Sequence, residues 1–163
     1  MRRRELLLAG AGALLTRPAS ALAAATLDQN GDIIKPLIAR EEAAQFAYRG
    51  GAPRGAPPLA RNARDHTAAL RTMLQALGRG TTPITAEQID PLARRVEEAS
   101  TDRERLDAAI ALEADLVGTY RAAVIKLTEP GILQTAATIL ACHAQQHAVL
   151  ARLAARNPFA LSS

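Results

Sequence analysis

The sequence predicts an all-α domain, a four-helix bundle with one long crossover, and three observations carry that expectation. Of 163 residues 48% are hydrophobic, nearly all Ala, Leu, Ile and Val, while aromatics make up 2% and tryptophan is absent. Small aliphatic side chains with few β-branched runs favour closely packed helices over sheet. Turn and breaker residues divide the chain into four long segments. The connections between these segments run tight, long, tight, which places a single crossover between the second and third helices. A chain of this length makes one domain with its own core.

The cluster Asp28-Gln29-Asn30-Gly31-Asp32 reads as a turn. Asp32 is then placed to cap a helix starting at Ile33, with Pro36 in its first turn, where no intrahelical N–H is required. That helix is expected to reach about Arg49, and "GGAPRGAPP" (50–58) is a loop. A second helix should run from about Leu59 to Leu77, ended by Gly78 and Gly80. Within the connection that follows, Thr85 and Gln88 form a capping-box pattern, so a short helix is expected there. Thr101 and Glu104 form another and open a third long helix, to about Leu127. "TEPG" breaks the chain, and Pro130 suits the first position of a fourth helix. Asn157-Pro158 ends that helix near Arg156 and leaves 158–163 as a tail.

The bundle is expected over residues 26–157, because residues 1–25 read as an export signal. Arg2, Arg3 and Arg4 precede an apolar run from Leu6 to Leu15, and Ala21-Leu22-Ala23 follows as a small-residue cleavage site. The apolar run is shorter than an ordinary membrane span. Arg3-Arg4-Glu5-Leu6-Leu7 resembles the twin-arginine motif, which directs export of already folded proteins. An ordinary secretory signal and an uncleaved anchor remain the other two readings. The expected location is the periplasm or the outer face of the cell envelope. No membrane span is expected unless the signal is retained.

The formal charge of +4 comes largely from that segment. It holds four arginines and one glutamate, so the remainder carries 16 basic and 15 acidic residues. A nearly neutral domain with few aromatics lacks the basic stripe of a nucleic-acid binder. Cys142 is the one cysteine, so no intramolecular disulfide forms, and the domain must hold together by its core.

The first and third long helices contain a repeat. "IAREEAAQFAYR" (38–49) and "IALEADLVGTYR" (110–121) both read Ile, two residues, Glu, six residues, Tyr, Arg. The glutamates are Glu41 and Glu113, the tyrosines Tyr48 and Tyr120. The second and fourth helices carry His66 and His147 in alanine-rich stretches, with His143 one turn before His147. Helical spacing puts Glu41 on a face with Ile34, Leu37, Ile38 and Tyr48, and Glu113 with Leu106, Ala109, Leu116 and Tyr120. His66 shares a face with Leu59, Ala63 and Leu70. His147 shares one with Leu140, Ala144 and Leu150, and His143 shares that face through Ala136, Ile139 and Leu140, although taken alone it is expected to be a partly exposed helix residue and not a ligand. Glu42 is expected to be a solvated partner of Lys35 and Arg49. A buried unpaired charge costs several kcal/mol, roughly. Core-facing glutamates and histidines therefore point either to a mutually satisfied polar network or to a cation site, and such ligands suit iron, manganese or zinc.

On "AREEAAQFAY", "ALEADLVGTY" and "AQQHAVL" the sequence resembles the ferritin-like superfamily, especially exported bacterial ferritin-like domain proteins. The resemblance covers about residues 30–155. In di-metal members the first and third helices each give a glutamate, and the second and fourth each give Glu-x-x-His. The resemblance thus implies Glu41, His66, Glu113 and His147 as metal ligands. The glutamates expected three residues before each histidine are here Ala63 and Ala144, so a dinuclear centre would lack its bridging carboxylates. His143 could compensate in a mononuclear site. The expected protein is an exported bundle with a degenerate di-metal site. It would serve as a structural or binding module, self-associating or meeting a protein partner through an Ala/Leu-rich helix face. The alternative is a metal-dependent oxidoreductase or metal-storage protein.

Overall fold

The computed structural model describes residues 19–80 and 82–156, with residues 19–28 and Arg156 described by backbone alone. The expected signal segment therefore lies outside the described residues up to residue 18, as does the tail at 158–163. The element order is α1 (Ala19–Tyr48), α2 (Leu59–Ala76), a 3₁₀ turn (Ala86–Gln88), α3 (Pro91–Glu97), α4 (Asp102–Val124) and α5 (Pro130–Arg156). The fold is all-α, and the four long helices α1, α2, α4 and α5 form the bundle. No helix among the described residues is long and apolar enough to cross a membrane.

Local chemistry sets most of the boundaries. Thr101 Oγ1 accepts from the Glu104 N–H at 3.1 Å, and Glu104 Oε2 accepts from the Thr101 N–H at 3.2 Å, so two of the orphan donors opening α4 are satisfied reciprocally. Asp90 caps α3 by accepting from the Leu92 N–H at 2.7 Å, with Pro91 in the first position. α2 stops at Gly78, whose φ of +71° is the left-handed geometry glycine adopts most readily. There the Gly78 N–H reaches Gln75 O at 2.8 Å and the Arg79 N–H reaches Leu74 O at 3.1 Å, which satisfies two terminal carbonyls.

The largest departure from expectation lies in α1. Residues 28–32 do not turn; the helix runs through them from Ala19. The alanine-rich segment before them has the highest helix propensity, and distant residues hold the rest. Asn30 is fully buried, donating to Thr128 Oγ1 at 3.1 Å and accepting from the Thr128 N–H at 3.0 Å. Asp32 pairs with Arg79 at 2.7 Å instead of capping a helix. Pro36 sits well inside α1, where it leaves the Asp32 carbonyl without its usual N–H partner. The cleavage site expected at Ala21–Ala23 falls within this helix.

α1 packs along α2, and α4 along α5, whereas α2 meets α5 and α1 meets α4 more lightly. The short α3 fills in on the second of those sides, packing on both α1 and α4 with Ala93 and Val96 fully buried. Arg40 of α1 reinforces it by pairing with Asp90 and Asp115. Glu42 is not solvated as expected. It pairs with Arg71 and accepts from the Ile84 N–H at 2.8 Å, tying the crossover to α1 and α2, while Arg49 pairs with Glu97 at 2.9 Å.

The apolar interior divides in two. One cluster gathers Ala44, Tyr48, Leu59, Val96, Leu112, Leu116 and Leu150; the other gathers Ile34, Leu37, Leu70, Leu74, Tyr120, Ile132 and Ile139. Each buried Leu or Ile contributes about 1.5–3 kcal/mol relative to leaving it in water. Between the two clusters lies a layer of charged and polar side chains.

Candidate metal centre

The four bundle helices each supply one member of that layer: Glu41 from α1, His66 from α2, Glu113 from α4 and His143 from α5. The side chains of Glu41, Glu113 and His143 are 0%, 1% and 2% exposed, and that of His66 is 12% exposed. Glu41, His66 and His143 each present a ligand atom within 4.8 Å of the others. The His66 and His143 rings meet edge-on with centroids 5.0 Å apart.

His143 stands where the fourth-helix ligand was expected at His147. The buried stripe of α5 runs Ile132, Ala136, Ile139, His143, Gln146, Leu150, steps of four and three residues that keep to one helix face. His143 is its midpoint and is fully buried instead of partly exposed. His147 lies off that stripe, half-buried, and is not in the cluster. The register therefore shifts by one turn. The position three residues before the α5 histidine is Leu140, not Ala144, while Ala63 keeps its place before His66. Neither bridging position carries a carboxylate.

His143 bonds to both glutamates, Nδ1 to Glu113 Oε2 at 2.8 Å and Nε2 to Glu41 Oε1 at 2.8 Å. A carboxylate can only accept, and a neutral imidazole has one N–H, so both bonds form at once only with an imidazolium or a protonated carboxyl. The electrostatics favour the imidazolium. Burial alone would lower the His143 pKa, but hydrogen bonding and attraction to the two carboxylates outweigh it and raise the value to about 9. Burial alone would raise the Glu41 pKa, and the imidazoles of His143 and His66 outweigh it, holding Glu41 below its ordinary value.

The repeated tyrosines close the layer in a crossed arrangement. Tyr48 of α1 donates to Glu113 Oε1 of α4 at 2.8 Å, and Tyr120 of α4 donates to Glu41 Oε1 of α1 at 2.7 Å. Each tyrosine follows its own glutamate by seven residues and serves the other one. Burial and the adjacent carboxylates push both phenols well above their ordinary range, so they remain neutral donors.

Two buried atoms are left without a hydrogen-bond partner at one corner of the layer, Glu41 Oε2 and His66 Nδ1. They face each other at 3.4 Å, within ion-pair distance but not in the geometry of a hydrogen bond. That spacing suits a cation. Two ligands about 2.0–2.1 Å from a tetrahedral ion stand roughly 3.4 Å apart. One carboxylate and two imidazoles form a donor set that fits iron(II) or zinc. These residues can hold one ion, and for His143 to join them its Nε2 must give up its proton, because a ligating imidazole is neutral.

No curated protein and no solved structure matches the chain. The sequence model of the ferritin-like domain matches residues 38–156, well over half of it and spanning all four members of the polar layer. With the helical bundle and the repeated Glu/His pairs, that match shows that the chain belongs to the ferritin-like domain family.

Proposed function

We propose that this ferritin-like bundle holds a single divalent transition-metal ion, iron, manganese or zinc, at Glu41, His66 and His143, with Glu113 orienting His143. The observation that carries this reading is the facing pair of buried atoms that make no hydrogen bond, Glu41 Oε2 and His66 Nδ1, beside His143. A dinuclear centre is not supported. Ala63 and Leu140 stand where bridging carboxylates would be, and two carboxylates alone poorly balance two divalent ions. Bound there, the ion would supply Lewis-acid or one-electron chemistry, and the protein would serve in metal-dependent oxidation or metal sequestration.

Tag-free protein is expected to carry about one metal ion per chain by elemental analysis. That content should fall to near zero in His66→Ala and persist in His147→Ala. If no metal binds after anaerobic incubation with iron, manganese and zinc in turn, the proposal fails.

One observation favours a second reading, in which the layer is a metal-free polar network. His143 already satisfies both carboxylates as a cation. A network of that kind specifies helix register without chemistry and would leave the bundle as a structural or binding module.

The location proposed from the arginine-rich leader is outside the cytoplasm, reached by twin-arginine export. Changing Arg3 and Arg4 to lysine is expected to leave the protein inside the cell, as followed by fractionation. Unchanged secretion of that variant would rule out the twin-arginine route.

A further inference from the structure

A cation bound in the layer must cross the bundle wall, and the four helix seams are not equally closed. α4 packs along the length of α5. The α1–α4 side is filled by α3 and by the Arg40 pairs to Asp90 and Asp115. The α1–α2 side is pinned by Gln45 Nε2 donating to Thr67 Oγ1 at 2.6 Å, and by Glu42 joined to Arg71 and to the crossover at Ile84. The α2–α5 seam has no covering helix among the described residues. The loop before α2 closes only its far end, where Gly55 approaches Leu153.

His66 opens onto that seam. It is the one member of the layer with appreciable exposure. Thr67 and Arg71 point toward α1, so the opposite flank of α2, at Asn62, His66, Ala69 and Met73, is turned toward α5. All four are half-buried, as residues along an incompletely closed seam should be. Across the seam Asn62 Nδ2 meets Cys142 Sγ at 3.8 Å, and buried Gln146 Nε2 meets the same sulfur at 3.3 Å. A thiol is a weak acceptor, so this closure gives way at little cost. Behind it lie His143, which follows Cys142 in the chain, and the fully buried Glu41 Oε2 that makes no hydrogen bond and faces His66.

We propose that the α2–α5 seam is the entry route for the cation, with the Asn62–Cys142 contact as its gate and His66 as the first ligand met. The inference rests on the single-ion reading above.

The test is the rate at which apo protein takes up cobalt(II) under anaerobic conditions, followed by its visible absorption, with the final amplitude giving the stoichiometry. Cys142→Phe is expected to slow uptake about tenfold while leaving the final amplitude unchanged, because gating residues alter access and not the ligands. Asn62→Phe plugs the seam from α2 and should do the same, so the test survives if either variant fails to fold. Cys142→Ala should load at least as fast as wild type, and Ala122→Phe, on the exposed side of α4, should load normally. Uptake at the wild-type rate in both phenylalanine plugs would overturn the route and leave the metal site standing. No cobalt uptake by wild type would overturn the site and the route together.

Discussion

His143→Leu is expected to destabilise the metal-free protein by about 3–5 kcal/mol, the cost of removing one partner from a buried charge network. For a domain of this size that corresponds to roughly 10–15 °C in Tm. The leucine fits among its neighbours Ile139, Gln146 and Leu150, so volume is a minor part of the effect. The major part is the pair of carboxylates left behind: Glu41 and Glu113 lose the imidazolium that joined them at 2.8 Å on each side. Tyr48 and Tyr120 still donate to them, but neutral donors do not balance two buried negative charges. Adding Glu41→Gln and Glu113→Gln to His143→Leu should restore most of the loss, because the layer then contains no uncompensated charge. His147→Leu, at a position outside the cluster, should change stability by no more than about 0.5 kcal/mol. Urea unfolding of the chelator-treated variants gives all of these values. A His143→Leu protein within experimental error of wild type would show that the layer is not organised by a charge at this position.

The second large effect is on pH dependence. His143 has its pKa raised to about 9 in the folded protein. In the unfolded chain it titrates near 6.5, the ordinary histidine value. The folded state therefore holds the proton more tightly. The stabilisation is complete below pH 6.5 and is lost as pH rises through about 9. The difference of roughly 2.5 pH units corresponds to about 3 kcal/mol. On the acid side Glu41 is held below its ordinary value, so its contribution is present above about pH 4.5 and disappears as pH falls further. The apo bundle should thus be most stable between about pH 5 and 6.5. The groups facing His143 are Glu41 on α1, His66 on α2, and Glu113 and Tyr120 on α4, with Cys142 beside it on α5. Tyr120 and Cys142 are shifted upward by burial and the carboxylates and stay protonated through this window. Thermal unfolding of chelated protein from pH 4 to 9.5 measures both limbs. The variant carrying His143→Leu, Glu41→Gln and Glu113→Gln should lose the alkaline limb. If wild-type stability is flat between pH 6.5 and 9, His143 is not a buried cation.

The ambiguity between His143 and His147 in the sequence has a physical cause. α5 carries alanine on every face, and alanine is equally at home buried or exposed. Ala136 is buried, whereas Ala137, Ala141, Ala144 and Ala148 face solvent. The periodic signal then rests on a few larger residues. His147 with Leu140 and Leu150 makes nearly as good a face as His143 with Ile139 and Gln146. On α1 and α4, by contrast, Glu41 and Glu113 sit among Ile, Leu and Tyr at helical spacing, and both are found in the core. The crossed tyrosine bonds were not legible, because nothing local says that Tyr48 should serve Glu113 instead of its own neighbour Glu41.

The sequence by itself determined the all-α class, the starts of the three later long helices, the capped turn at Thr85–Gln88 in the crossover and the internal Glu–Tyr repeat. Each of these is decided by residues within a turn or two of one another: a capping side chain, a proline or glycine, or an apolar spacing. Tertiary structure decided what depends on partners distant in the chain. Segment 28–32 is helical because Thr128 and Arg79 hold Asn30 and Asp32 there. Glu42 is anchored because Arg71 and Ile84 reach it. His143 instead of His147 enters the charged layer because Glu41 and Glu113, 102 and 30 residues away, converge on its ring. Burial makes an unpaired charge costly, and only the assembled bundle determines which histidine is close enough to both carboxylates to relieve it.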